Sequence, residues 1–209
     1  MKKLAFLFLV FACFAACTNH PKEDKTAATQ QTKSAPRRSG GLTQQDSIKA
    51  TARQVLICLK DKKYNELSTY FSPEGVLFSP YGFIDTLKSK KLIPADFLES
   101  INRNWILTWG IADGSGDPIK LTVKAYFQKF VYDADYLAAE AVGYDEIIKK
   151  GNTKINLEAV YPHHHFVEYH FSGFDQQQDG LDWTSLRLVF EKRDGQYFLK
   201  AVVHDQWTI

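Results

Sequence analysis

Asp194-Gly195, set between two runs of alternating apolar residues, constrains this chain more than any other pair in it. Asp-Gly supplies the left-handed positions of a two-residue hairpin turn, so residues 181–208 are predicted to form two antiparallel strands. Counting outward from the turn pairs Phe190 with Leu199, Leu188 with Ala201, Leu186 with Val203 and Thr184 with Asp205. The first three pairs are apolar and share one face, which marks that face as core, and Thr184 and Asp205 extend it. Trp183, Ser185, Arg187, Val189, Val202 and His204 fall on the other face. A carboxylate at the end of a hydrophobic stripe sits in solvent or lines the mouth of a pocket.

Upstream, Thr43-x-x-Asp46 is a helix start, and Ile48, Ala52, Val55, Leu56 and Leu59 give the buried face of a helix over about 46–61. A short helix over 64–71 ends before Pro73, and residues 76–78 read as a strand. Pro94 fits the first turn of a helix, residues 105–109 a strand or buried helix end, and Thr122 the start of a helix within 121–130. Asp113-Gly-Ser-Gly-Asp117-Pro118 is a loop whose spacing matches neither a nucleotide-binding loop nor an EF-hand. Residues 156–171 read as strand. Helices first, a middle helix and then long antiparallel strands give an α+β order.

The N-terminus has a different character. Lys2 and Lys3 precede an apolar run over 4–16, too short to span a bilayer and built like a secretory signal. Phe14-Ala15-Ala16-Cys17 resembles the lipobox of bacterial lipoproteins, although leucine is usual where Phe14 stands. The resemblance implies cleavage before Cys17 and its acylation by a diacylglyceryl group and usually an N-acyl chain, palmitate being typical. Several chains suffice for a stable membrane anchor. Lys22-Glu23-Asp24 also resembles the signal that sends some Bacteroidota lipoproteins to the cell surface. The expected location is the cell envelope, at the periplasmic or outer face of the outer membrane.

Residues 18–41 contain no aromatic, leucine, isoleucine or valine, a composition that cannot offset its ordering entropy. The expected layout is a signal peptide over 1–16, a disordered tether over 17–42 and one domain over 43–209. A tether of this size reaches ~25–30 Å at ~5–6 Å × √n. The whole chain carries a net charge of +2, and loss of Lys2 and Lys3 leaves the mature protein neutral. The tether is basic by three charges and the domain acidic by three, with its basic residues scattered, which argues against a nucleic-acid partner. Cys58 is the domain's one cysteine, so no disulfide forms within it.

The stretches "FSPEGVLFSPYG" and "LRLVFEKRDGQYFLKAVVHDQWTI" resemble the nuclear transport factor 2-like fold in pattern. That family includes ketosteroid isomerase, scytalone dehydratase and polyketide-cyclase-like proteins. The resemblance implies N-terminal helices packed in the concavity of a curved antiparallel sheet, a cone with a possible cavity. It transfers no catalytic residue.

An enzyme in such a cone needs a base whose burial raises its pKa. Asp205, His163 or Asp85 is a candidate, with Tyr81 as hydrogen-bond donor. His204 beside Asp205 is not a dyad, because neighbours on a strand point apart. His163 and His165 share a strand face, with Val167, Tyr169 and Phe171 continuing it as the core side, but no second ligand pair supports a metal site. No cofactor is expected. Trp105, Trp109, Tyr126, Tyr169 and Trp207 are the candidate lining of a ligand cavity. Trp183, Val189 and Val202 form a candidate outer patch for a homodimer. The favoured function is binding, by a membrane-anchored envelope lipoprotein, of a small apolar ligand or another envelope protein. The alternatives are a cofactor-free isomerase, dehydratase or cyclase-like enzyme, and a structural subunit dimerising through its sheet.

Overall fold

A computed structural model describes residues 43–208; Cys17, the signal and the tether lie outside them. The elements run α1 (Gln44–Lys60), α2 (Tyr64–Thr69), β1 (Val76–Ser79), β2 (Lys90–Leu92), α3 (Pro94–Asn102), β3 (Ile106–Ile111), β4 (Pro118–Thr122), α4 (Val123–Phe130), β5 (Ala141–Tyr144), α5 (Leu157–Val160), β6 (His165–Phe171), β7 (Thr184–Arg193) and β8 (Gln196–Gln206). Thr43 caps α1 through a reciprocal capping box with Asp46, Pro94 opens α3, and the Thr122 hydroxyl accepts from the Ala125 amide to cap α4. The fold is α+β, as expected.

Six strands form one sheet in the order β2-β1-β8-β7-β6-β5, and β3 and β4 form a separate ribbon. The sheet is mixed rather than wholly antiparallel: β1 runs parallel to β8, and every other pair is antiparallel. Asp194 and Gly195 both have positive φ (49° and 80°), the turn expected between β7 and β8.

The hairpin register holds only as far as Phe190–Leu199. The next pair is Val189 with Ala201, so Lys200 is an extra residue in β8. Beyond it Leu188 faces Val202, Leu186 faces His204, and Ser185 faces Asp205, instead of the partners counted from the turn. The neighbour on the far side of β8 breaks at the same place. Phe71 bridges Leu199, while β1 takes up pairing at Ala201. The Lys200 ammonium bonds Glu74 and Glu191, each at 2.9 Å, and holds the bulge to β7 on one side and to the turn before β1 on the other. One extra residue therefore exchanges the faces of everything from Ala201 to Gln206.

Two apolar cores result, both built from residues of the domain itself, so the domain carries its own packing. On the helix side Leu186, Leu188, Phe190 and Val202 meet α1, α3 and α4. On the other side Leu77, Phe166, Val189, Ala201 and Val203 are covered by Ile84 and by Leu157 and Tyr161. This cover corrects the expected dimer patch: Val202 belongs to the helix-side core, Val189 is buried beneath the chain, and Trp183 packs against Gly151.

Candidate functional site

The space between helices and sheet is filled by rings. Trp109 and Tyr126 are fully buried and stacked at 3.9 Å, Phe78 meets Trp109 edge-on at 5.6 Å, and Phe97 stacks on Phe127 at 5.6 Å. Each such ring is worth ~1.5–3 kcal/mol in burial, which favours packing over an empty cone. Of the five residues expected to line a cavity, Trp109, Tyr126 and Tyr169 are core. Trp105 and Trp207 are 42% and 39% exposed, and Trp105 lies beneath the Arg103 guanidinium at 5.6 Å. The five share no pocket; β-strand alternation could not show that helix-borne rings would reach the same space.

The three candidate catalytic residues do not form one open site. Asp205 is 1% exposed on the sheet face away from the helices, where the bulge puts it, and not at the end of the helix-side stripe. Arg187, also buried, donates from Nη1 to Asp205 (2.8 Å), from Nε and Nη2 to Glu168 (2.8 and 3.2 Å), and from Nη2 to the Lys149 carbonyl (2.9 Å). The Ile148 amide donates to Glu168 as well, and the Gly82 backbone lies directly on the Asp205 carboxylate. Burial raises the Asp205 carboxyl above its ordinary range, with Arg187 pulling the other way. Burial also disfavours the Arg187 charge, and the two carboxylates more than offset it. This is a closed cluster of one guanidinium and two carboxyls, all buried, with no face left for a substrate.

His163 is exposed in the loop before β6. Its neighbour His165 pairs with Phe190, five strand positions from the Ser185–Asp205 pair, or ~17 Å at ~3.4 Å per residue. His165 hydrogen-bonds Asp145 (2.6 Å) and Tyr144 (3.1 Å) and meets Gln44. Among the described residues no group of three or more His, Cys, Asp or Glu is placed to hold a metal. The Tyr81 hydroxyl accepts from the Asp113 amide at 3.2 Å.

A second buried polar group occupies the helix side. His204 donates from Nδ1 to the Pro80 carbonyl (3.1 Å), and its Nε2 faces Thr184 (3.1 Å) and Asp133 (3.3 Å). Tyr136 and Thr184 also donate to Asp133. Burial pushes the Asp133 carboxyl up, but His204, Tyr136 and Thr184 outweigh it and hold it below the usual range. Asp133 carried no sequence signal: it joins His204 only across 71 residues of chain.

Several hollows open on the surface, among them two with apolar walls. The first, about 440 Å³, lies between the 80–89 loop and the β3–β4 turn, with Tyr81, Phe83, Asp85, Lys88 and Gly110 on its walls. Phe83 is 46% and nearby Leu87 95% exposed. The second, about 630 Å³, is a groove where the ends of α1 and α3 meet α4. Leu59, Ile101 and Phe127 form its floor, Tyr64 and Tyr132 its walls, and Lys60, Lys62, Lys124 and Gln128 its rim. Lys124, Phe127 and Gln128 reach it together because they lie three and four residues apart on α4. Lys62 sits just past the α1 C-cap with φ of 55°, in the left-handed region where the chain leaves the helix. At one end Asp135 takes hydrogen bonds from both Lys60 and Tyr132, each at 2.6 Å, tying α1 to the segment after α4. Lys60 and Tyr132 hold that carboxyl below its ordinary range. Sequence reading missed the groove because its residues come from four helices, α1 to α4, and from the segments that follow α1 and α4.

No protein-family model and no characterised protein matches the chain. Among solved structures, a DUF4783 family protein from Bacteroides ovatus ATCC 8483 is similar over 74% of this chain and 94% of its own, with 10% identity and a TM-score of 0.29. A variant of the protein Rd1NTF2_05 is similar over 75% of this chain and 97% of its own, with 12% identity and a TM-score of 0.28. Similarity at this level assigns neither family nor activity.

Proposed function

We propose that the chain is a lipoprotein anchored in the bacterial outer membrane through Cys17, and that its domain is a non-catalytic binding module for a small apolar ligand held in the groove between α1, α3 and α4. One observation carries this reading: rings fill the interior, whereas Leu59, Ile101 and Phe127 form an apolar floor beneath an open groove. A groove of about 630 Å³ lies within the ~300–1,000 Å³ common to small-molecule sites. The nuclear transport factor 2-like resemblance of the sequence stays as the frame, with the binding place moved from the interior to the helical surface.

The test is binding of an apolar fluorescent probe to residues 43–209, with NMR shifts mapped residue by residue. Shifts concentrated at Ile101 and Phe127, and weaker binding once Gln128→Trp fills the groove, are expected. Binding that Gln128→Trp leaves unchanged puts the ligand elsewhere. A second reading, contact with another envelope protein, rests on Phe83 and Leu87, whose exposed side chains flank the smaller cleft.

A further inference from the structure

The groove does not end at Tyr64. A second hollow of about 420 Å³, between α2 and α3, shares Lys62, Tyr64 and Ile101 with it and continues along Leu98. The two hollows together carry Leu59, Leu98, Ile101 and Phe127, with Lys62 at the junction, Lys124 on the α4 side, and Asn65 and Glu66 on the α2 side.

The two lysines differ from the cations around them. Lys60 is paired with Asp135 and Lys63 with Asp61, at 2.6 and 2.9 Å. Neither Lys62 nor Lys124 makes an ion pair or side-chain hydrogen bond among the described residues. Unpaired ammonium groups beside a buried apolar floor attract an anion whose remainder is hydrocarbon. The groove is bounded by helices, so it offers no open strand edge to a peptide backbone. The chain's own N-terminal segment is an unsuitable occupant, because residues 18–41 carry three net positive charges and no aromatic, leucine, isoleucine or valine.

We infer that the ligand is a single-chain anionic amphiphile, a long-chain carboxylate whose hydrocarbon lies along Leu59, Ile101 and Phe127 and whose head group pairs with Lys62 and Lys124. This rests on the groove being the binding place. The apolar chain supplies most of the affinity by burial, and the lysines supply the choice of charge.

The experiment compares dodecanoate with the uncharged dodecanol, each below its micellar concentration, on residues 43–209 by calorimetry. Dodecanoate should bind more tightly, and the Lys62→Met, Lys124→Met double variant should weaken it by roughly 3- to 30-fold, as two partly exposed ion pairs allow. Dodecanol binding should be unmoved by the double variant, and Lys88→Met should affect neither ligand. Raising the salt should reproduce the loss for dodecanoate alone. Equal binding of the two ligands, or dodecanoate binding indifferent to the double variant, overturns the inference while leaving an apolar-ligand groove intact. Failure of both ligands to bind overturns the groove reading with it. Circular dichroism confirms that the exposed substitutions leave the fold unchanged.

Discussion

Arg187→Met is the most informative single substitution. The wild-type cluster holds one guanidinium against two carboxylates, all with side chains at most 2% exposed. Methionine fills much of the arginine's volume but leaves Glu168 and Asp205 buried without a counter-ion. Breaking a buried pair in this way costs about 3–5 kcal/mol, because the stranded charges keep their desolvation penalty. For a domain of this size each 1 kcal/mol moves the melting temperature by ~2–4 °C, so a fall of roughly 6–20 °C is expected. The loss depends on pH in a definite direction. A carboxyl raised by burial contributes most to stability when protonated, and that contribution is lost as pH climbs through its folded value. Without Arg187 the main opposition to the burial that raises Asp205 is gone, so the deficit relative to wild type should be larger at pH 8 than at pH 5. Urea denaturation at the two pH values measures this. Adding Glu168→Gln and Asp205→Asn should restore part of the stability by removing the stranded charge. A loss below about 1 kcal/mol at pH 8, or one equal at both pH values, would refute the reasoning.

Four further outcomes are expected. Gly82→Ala places a Cβ 2.6 Å from Asp205 Oδ2 and should cost about 1–3 kcal/mol in urea melts, through overpacking against a fixed ion pair. Asp205→Asn removes a carboxyl whose folded pKa is raised, so the variant should gain on wild type as pH rises from 4 to 8, read from melting temperatures. Deleting Lys200 removes the bulge and drives Asp205 towards the helix-side core, so the domain should lose its cooperative urea transition, whereas Lys200→Met should keep it. Cys17→Ala should move the protein out of the membrane fraction, checked by fractionation and immunoblot.

Local chemistry was readable where a few adjacent residues decide the outcome. Thr43 with Asp46, Pro94, Thr122 and Asp194-Gly195 each begin or turn an element through contacts within four residues. The core side of β6 was legible for the same reason: alternation alone places Val167, Tyr169 and Phe171 opposite Glu168 and His170. The candidate site was not legible, because its parts are brought together by packing. Leu59, Ile101 and Phe127 look in sequence like ordinary core positions of three helices, and only the packing of those helices sets them side by side beneath one groove.

Sequence by itself determined the α+β order, the hairpin and its turn, the excess of basic residues within 18–42, and the one cysteine among residues 43–208. Tertiary structure alone decided the face on which Asp205 lies. Counting from Asp194-Gly195 assumes an unbroken ladder, and Lys200 breaks it where the flanking pairing passes from Phe71 to β1. Side chains on a strand alternate with a period of two, so one unpaired residue is enough to exchange the faces. That exchange takes a residue read as the base of an active site and locks it with Arg187 on the other side of the sheet. The helix-side interior is left to aromatic packing.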